Sequence, residues 1–341
     1  MLLKLVPDET KVPFVRFRMI AAALSVVLVV GSIAALATLG LNFGVDFRGG
    51  ITIEVADDQP IDQDAVYDAV GALNLGEVRV QEIRDFADSD EAVVVFIEQQ
   101  AADDAAAPVE EAPNAAPVEA SAFDANDAAQ QTAATRVQDA LRALLGDGVN
   151  FRRVDIVGPT VSGELIQRGA TAVAFAIGLM LLYIWFRFEW QFSVGAILAL
   201  VHDIVITLGV FAVTRLEFSL AIIAALLTIV GYSMNDTVVV YDRVRENLRK
   251  YKKMPLEEVM NLSINDTLSR TVMTSVTTLL ALVALYVIGG EVLRGFTFAM
   301  IWGVLIGTYS SIFVAAPILL TTGVKRDWSK QEVAAPTPDA A

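Results

Sequence analysis

The chain has 341 residues, 55% of them hydrophobic. Its mean hydropathy of +0.55 is too apolar for an ordinary soluble protein and suits several membrane spans. There are no cysteines and one histidine, His202, which excludes disulfides, thiol chemistry and cysteine–metal sites and argues against a His-rich metal site or a Ser–His relay; no cofactor is expected. The formal net charge of −15 is unevenly placed: residues 42–160 carry 24 Asp/Glu against 7 Arg and no Lys, a balance of −17 that leaves +2 for the rest, with nothing resembling a nucleic-acid-binding face.

From the N-terminus, a short basic segment (1–18, with Lys4, Lys11, Arg16 and Arg18) precedes an apolar stretch at 19–41. Its length suits a span, which takes roughly 20 residues, and the lack of an A-x-A-like site makes it an uncleaved anchor. "GVDFRGG" (44–50) is a Gly-rich turn without the following helix that a phosphate-binding loop needs. The acidic block at 42–160 then has strand-like alternation in "ITIEVA" (51–56), helical spacing at 61–73, strands at 78–85 and 92–99, a helix at 136–145 and a strand at 150–158. The order β-α-β-β-α-β predicts a ferredoxin-like split βαβ domain. Within it, 101–131 is an Ala/Pro/acidic insertion whose composition predicts a flexible loop.

Five further spans are expected at 165–186 (apolar from 169), 192–213, 218–241, 267–288 (apolar from 272) and 296–320, followed by a tail at 321–341. Lys and Arg gather before the first span, in a basic loop at 242–266 and after the sixth span, whereas the short loops of the opposite side carry only Arg215 and Arg294. The positive-inside rule therefore puts both termini in the cytoplasm and the acidic domain outside.

Polar groups inside the apolar stretches single out the candidate site. Asn235 and Asp236 lie near the end of the fourth span, where a carboxylate costs about 2.5–3.5 kcal/mol and needs a partner inside a bundle. Arg270 on the fifth span is placed at matching depth, with Asp266 suited to cap that helix and Ser269, Thr274 and Thr277 giving it a hydroxylated face able to hold water or bridge protons. His202 and Asp203 lie mid-way along the third span without an obvious partner, and both proton support and a structural contact remain open for them. Gly303, Gly307 and Ser311 repeat every four residues on the sixth span, the pattern of close helix packing.

Together "GVDFRGG", "GPTVSGELIQRG" (158–169), "HD" (202–203), "GYSMNDTVVVYDRVREN" (231–247), "TLSRTVMTSVTTLL" (267–280) and "GTYSSIFVAAP" (307–317) resemble the SecF family of the bacterial Sec accessory complex, within the resistance–nodulation–division superfamily. The resemblance implies a multi-pass protein of the inner membrane with a periplasmic domain, working beside SecD and the Sec translocon channel. Its cargo would be unfolded exported polypeptides and its energy the proton motive force, with Asp236 and Arg270 matching the family's proton-coupling residues. A small-molecule proton antiporter of the same superfamily and a structural assembly factor without ion coupling are the alternatives.

Overall fold

A computed structural model describes residues 7, 10–57, 60–84, 91–98, 122–146 and 148–324. In lipid a spanning chain must satisfy its own backbone polar groups, which a helix does within one segment, and six helices long and apolar enough to cross a membrane are found among these residues. After a 3₁₀ turn at Phe14–Phe17, helix α1 (Arg18–Thr38) buries only Ala21, Ser25 and Ser32. These small side chains let it lie close against a later span; a Cβ on Gly209 there would stand 2.2 Å from Ser32.

Strand β1 (Asn42–Phe43) and the single-turn α2 (Val45–Arg48) lead into the extramembrane domain. Gly49 (φ 72°) and Gly50 (φ 115°) make this bend in a region open to glycine and strained for other residues. The domain runs β2 (Gly50–Asp57), α3 (Gln63–Gly71), β3 (Val78–Arg84), β4 (Glu91–Ile97), α4 (Ala122–Leu145) and β5 (Asn150–Val157). Asp62 caps α3 by accepting from the N–H groups of Asp64 and Ala65. The sheet order is β3-β4-β2-β5 with every neighbouring pair antiparallel, so β4 lies between the strands that α3 connects, as the split βαβ pattern requires. Ile51, Ile53, Val55, Val93 and Val95 of the sheet pack on Val66, Val70, Val137 and Leu141 of the two helices.

One boundary differs from expectation. The last ten residues of the Ala/Pro/acidic stretch expected as a flexible loop over 101–131 belong to α4, which begins at Ala122 and not at 136. Alanine is the strongest helix former, and Ala129, Ala133, Val137 and Leu141 recur every four residues as a buried stripe. An Ala-rich composition that lacks large apolar residues reads as disorder when its small side chains in fact permit close packing on a sheet. The remainder of the insertion, 101–121, and the tail from 325 lie outside the described residues.

The bundle continues with α5 (Pro159–Arg187), α6 (Trp190–Thr214), the two-residue β6 (Glu217–Phe218), α7 (Leu220–Lys250), α8 (Leu256–Ile288) and α9 (Gly290–Ser310). A π-helical turn (Ser311–Ala315) then leads to α10 (Ala316–Thr322). The expected basic loop at 242–266 is instead mostly helix, and only residues 251–255 connect α7 to α8. Hydropathy marks where a helix leaves lipid, not where it ends; here Val244 and Leu248 pack on Val259, Met260 and Ile264 beyond the apolar segment.

The domain is joined to the bundle at a second point. β1 pairs in parallel with β6, and Asp46 accepts a 2.8 Å hydrogen bond from the N–H of Leu220, the first residue of α7. A Cβ on Gly44 would stand 2.2 Å from Glu217 Oε1, so a side chain there would displace the Glu217 carboxyl from this joint. Burial pushes the Glu217 carboxyl above the usual glutamate range; Asp46 and Asp155 add to this, while Arg153 and the Val45 N–H oppose it. A raised folded-state value gives stability that is complete below the unfolded value and is lost as pH rises through the folded one. Glu217→Gln, which stays neutral, should therefore raise the thermal midpoint increasingly toward alkaline pH and match the parent near pH ~4. A pH-independent difference between the two melting curves would show that this carboxyl does not titrate on folding.

Packing at Gly303 gives a second expectation. Its missing Cβ would lie 2.3 Å from Ile229 on α7, and that of Gly307 3.1 Å from Ser233 one turn further along. Gly303→Ala should cost about 1–3 kcal/mol through overpacking. Ile229→Ala alone should cost about 2–5 kcal/mol, and the double variant should be less destabilised in denaturant unfolding than the sum of the two, because the pair are direct neighbours.

Candidate functional site

Asp236 sits on α7, 9% exposed. Two hydroxyls meet it: Thr271 of α8 donates to Oδ1 at 2.5 Å, and Ser311 of the π-helical turn donates to Oδ2. A buried carboxylate held by hydrogen bonds avoids the cost of a bare charge. Asp236 and Arg270 stand at matched depth, each fourteen residues from the helix end at the α7–α8 turn. The expected contact pair is nonetheless not formed. Arg270 is exposed, and among the described residues no ion pair within 4.0 Å joins it to Asp236, although it lies within electrostatic reach. Consecutive residues on a helix with 3.6 residues per turn point about 100° apart, so Arg270 and Thr271 cannot both face Asp236.

The same geometry turns Asn235 outward while Asp236 points in. Thr274 and Thr277 share the exposed face of Arg270, and their hydroxyls donate to Arg270 O (3.1 Å) and Met273 O (2.9 Å) on their own helix; Ser269 is half-buried. Asn235, Arg270, Thr274 and Thr277 thus form a polar strip on the outer surface of α7 and α8. Asp266 is no cap: α8 begins ten residues earlier, and its carboxylate accepts from Arg243 Nε (2.8 Å) and Asn247 Nδ2 (3.1 Å).

Ser311 does more than pack. Pro317 lacks an N–H, and its ring would crowd the carbonyl four residues upstream, so the helix loosens into the π-helical turn just before it. Two consecutive serines there reach two different carboxylates: Ser311 donates to Asp236, and Ser310 to Asp203 Oδ2 at 2.7 Å. Asp203, fully buried on α6, also accepts from Ser233 of α7 at 2.6 Å and contacts His202 Nδ1 at 2.9 Å. Ser233, Thr271 and Ser310 went unremarked in the sequence. The signal available for them was a hydroxyl one turn from Asp236, another beside Arg270, and a Ser–Ser pair in an apolar span.

A bundle of six membrane-length helices with two hydroxyl-bound carboxylates at its centre, carrying a split βαβ domain after α1, defines a polytopic membrane protein with a polar interior. Residues 136–325 match the family "Protein export membrane protein SecD/SecF, C-terminal", and residues 34–61 match the SecD/SecF GG motif. The chain is 45% identical over 335 residues to protein translocase subunit SecF of Cereibacter sphaeroides, covering 98% of this chain and 97% of that protein. It is 39% identical to SecF of Rickettsia rickettsii, covering 97% and 98%. It also matches the SecDF subunit of Brucella abortus at 40% identity, covering 95% of this chain and 39% of that longer protein. Among solved structures, SecDF, a translocon-associated membrane protein from Thermus thermophilus, has a TM-score of 0.75 at 31% identity, covering 93% of this chain and 39% of that one. The chain belongs to the SecD/SecF protein-export family, on its SecF branch, and is a multi-pass inner-membrane protein.

The hydroxyl shell of Asp236 can be tested without any transport assay. Thr271→Val keeps shape and removes one donor, which should cost about 1–3 kcal/mol for the under-satisfied carboxyl. Thr271→Ser should retain parental stability in the same thermal unfolding series.

Proposed function

We propose that this chain is the SecF-type accessory subunit of the Sec translocase, which with SecD uses the proton motive force to promote late export of unfolded polypeptides. The observation that carries the reading is Asp236, buried within a membrane-length helix with only hydroxyl donors while a cation, Arg270, stands one residue before Thr271 on the outer face. Burial and a nearby cation act in opposite senses on a carboxylate's proton affinity. Small movements of α8 against α7 therefore switch whether Asp236 holds its proton. Moving one charge through 100 mV is worth roughly 2.3 kcal/mol, enough to bias a two-state element.

The exposed polar strip around Arg270 supports the second half of the proposal. Polar side chains facing lipid are costly, and a partner bundle would cover them. SecDF relatives hold about two and a half times the length that this chain spans, which suits SecD supplying that bundle. Under this reading the extramembrane domain is periplasmic, both termini are cytoplasmic, and the domain holds an emerging chain against backsliding at the translocon.

Asp236→Asn and Arg270→Met should each abolish the proton-driven part of export while the protein still inserts and binds its partner. Arg270→Lys should also be poor if the planar fork of the guanidinium is used. The deciding measurement is export into inverted membrane vesicles with ATP held high and the proton gradient collapsed. Export that continues unchanged in wild type and in Asp236→Asn alike would remove ion coupling and leave a structural assembly role.

A further inference from the structure

Asp236 shares the bundle interior with a second buried carboxyl. Asp203 is fully buried on α6, and among the described residues the only ion-pair partner within 4.0 Å is its neighbour, His202. The charged and titratable groups facing this cluster are few. α7 brings Asp236 one turn from Ser233, α9 brings Tyr309, whose ring stacks on that of His202, and α1 contributes only Ala21 and Ser25. Arg270 of α8 acts on Asp236.

The protons in this cluster can be counted. Tyr309 Oη lies 2.9 Å from the carbonyl oxygen of Ala21, which only accepts, so the single hydroxyl proton of Tyr309 points there. Ser25 Oγ is 3.0 Å from Tyr309 Oη, and with that tyrosine proton committed, Ser25 is the donor. Ser25 Oγ is also 3.2 Å from His202 Nε2, and having spent its own proton it must accept, so Nε2 carries a hydrogen. The contact between His202 Nδ1 and Asp203 Oδ1 at 2.9 Å then contains one more proton, on one atom or the other. It is not on Oδ2, which accepts from Ser233 at 2.6 Å and from Ser310 at 2.7 Å, the other acceptor within reach of the Ser310 hydroxyl, Gly307 O, being farther at 3.2 Å.

We propose that His202 and Asp203 form a second proton-binding site within the membrane bundle, distinct from Asp236 and holding one proton in the arrangement seen here. The pair thereby carries no net charge, as a fully buried carboxyl without Arg or Lys requires. Releasing the proton leaves an ionised Asp203 accepting from Nδ1–H and a bare Nε2. Ser25 must then turn to donate to Nε2, and Tyr309 must turn to donate to Ser25, giving up the Ala21 carbonyl. Proton release is thus tied to a hydroxyl reversal that runs from α6 to α1 and α9. The consecutive Ser310 and Ser311 link the pair to Asp236 through one π-helical turn. That the proton serves export rests on the function proposed above; its presence does not.

Because His202 is the only histidine of this chain, the imidazole ¹⁵N signals of the histidine-labelled chain, purified on a non-histidine tag and reconstituted with separately produced unlabelled partner into lipid vesicles, report on this site alone. We expect Nε2 to be protonated, with one pH transition to the Nδ1–H form as the pair gives up its proton. Asp203→Asn should lose that transition and show Nε2–H throughout. Tyr309→Phe frees the Ser25 proton and should populate the Nδ1–H form at a pH where the wild type shows none, a readout that stands even where Asp203→Asn fails to fold. A bare Nε2 at every pH in wild type, a transition that persists in Asp203→Asn, or identical wild-type and Tyr309→Phe spectra would each overturn the proposal. If the signals behave as expected but export ignores the proton gradient, the site stands and the export reading falls.

Discussion

Two carboxyl groups buried between membrane helices, both held by hydroxyls, Asp203 by the neighbouring His202 ring as well, and neither touched by an Arg or Lys among the described residues, are the constraint to which the rest of the bundle conforms. A hydroxyl is short, so it can donate to Asp203 or Asp236 only if the helices bearing it come close. The glycines meet that demand: Gly303 and Gly307 let α9 lie against Ile229 and Ser233, and so bring Ser310 and Ser311 within reach of α6 and α7. The π-helical turn before Pro317 adjusts the aim of those two serines. Packing and polarity are one arrangement here. A side chain added at Gly303 acts on the carboxyl groups two turns away as well as on the interface.

Much of this could be read in the sequence, and what was missed has a physical pattern. The six spans, the split βαβ order and the depth of Asp236 follow from hydropathy and period, both of which survive averaging over many residues. The direction in which Arg270 points does not follow, because depth is set by counting from a turn, whereas azimuth changes by 100° per residue. A one-residue choice between Arg270 and Thr271 therefore decided the contact. The ends of α7 and α8 were misplaced because the apolar segment stops before the helix does. Residues 122–131 misled in the opposite sense, since alanine contributes little apolar surface and yet packs closest.

The hydroxyl donors were hardest to foresee. Serine and threonine in membrane helices usually bond to a carbonyl of their own helix, as Thr228 and Thr297 do here. Sequence alone does not separate those from Ser233, Ser310 and Thr271, which reach across to another helix. What separates them is which faces meet, a property of the whole bundle.

The Asp46 contact to the start of α7 bears on mechanics. α7 carries Asp236 sixteen residues from Leu220, a rigid rod of about 24 Å at 1.5 Å per residue. One end of that rod is held by a residue of α2, the turn that leads into the extramembrane domain, and the other bears the buried carboxyl. A tilt of about 5° pivoting at Asp236 displaces the Asp46 end by about 2 Å over that length. β1 and β6 are paired beside the same point, and from there the chain enters β2 through the short Gly49–Gly50 bend. The helix therefore works as a lever, with its fulcrum in the membrane and its load arm fastened to the sheet domain.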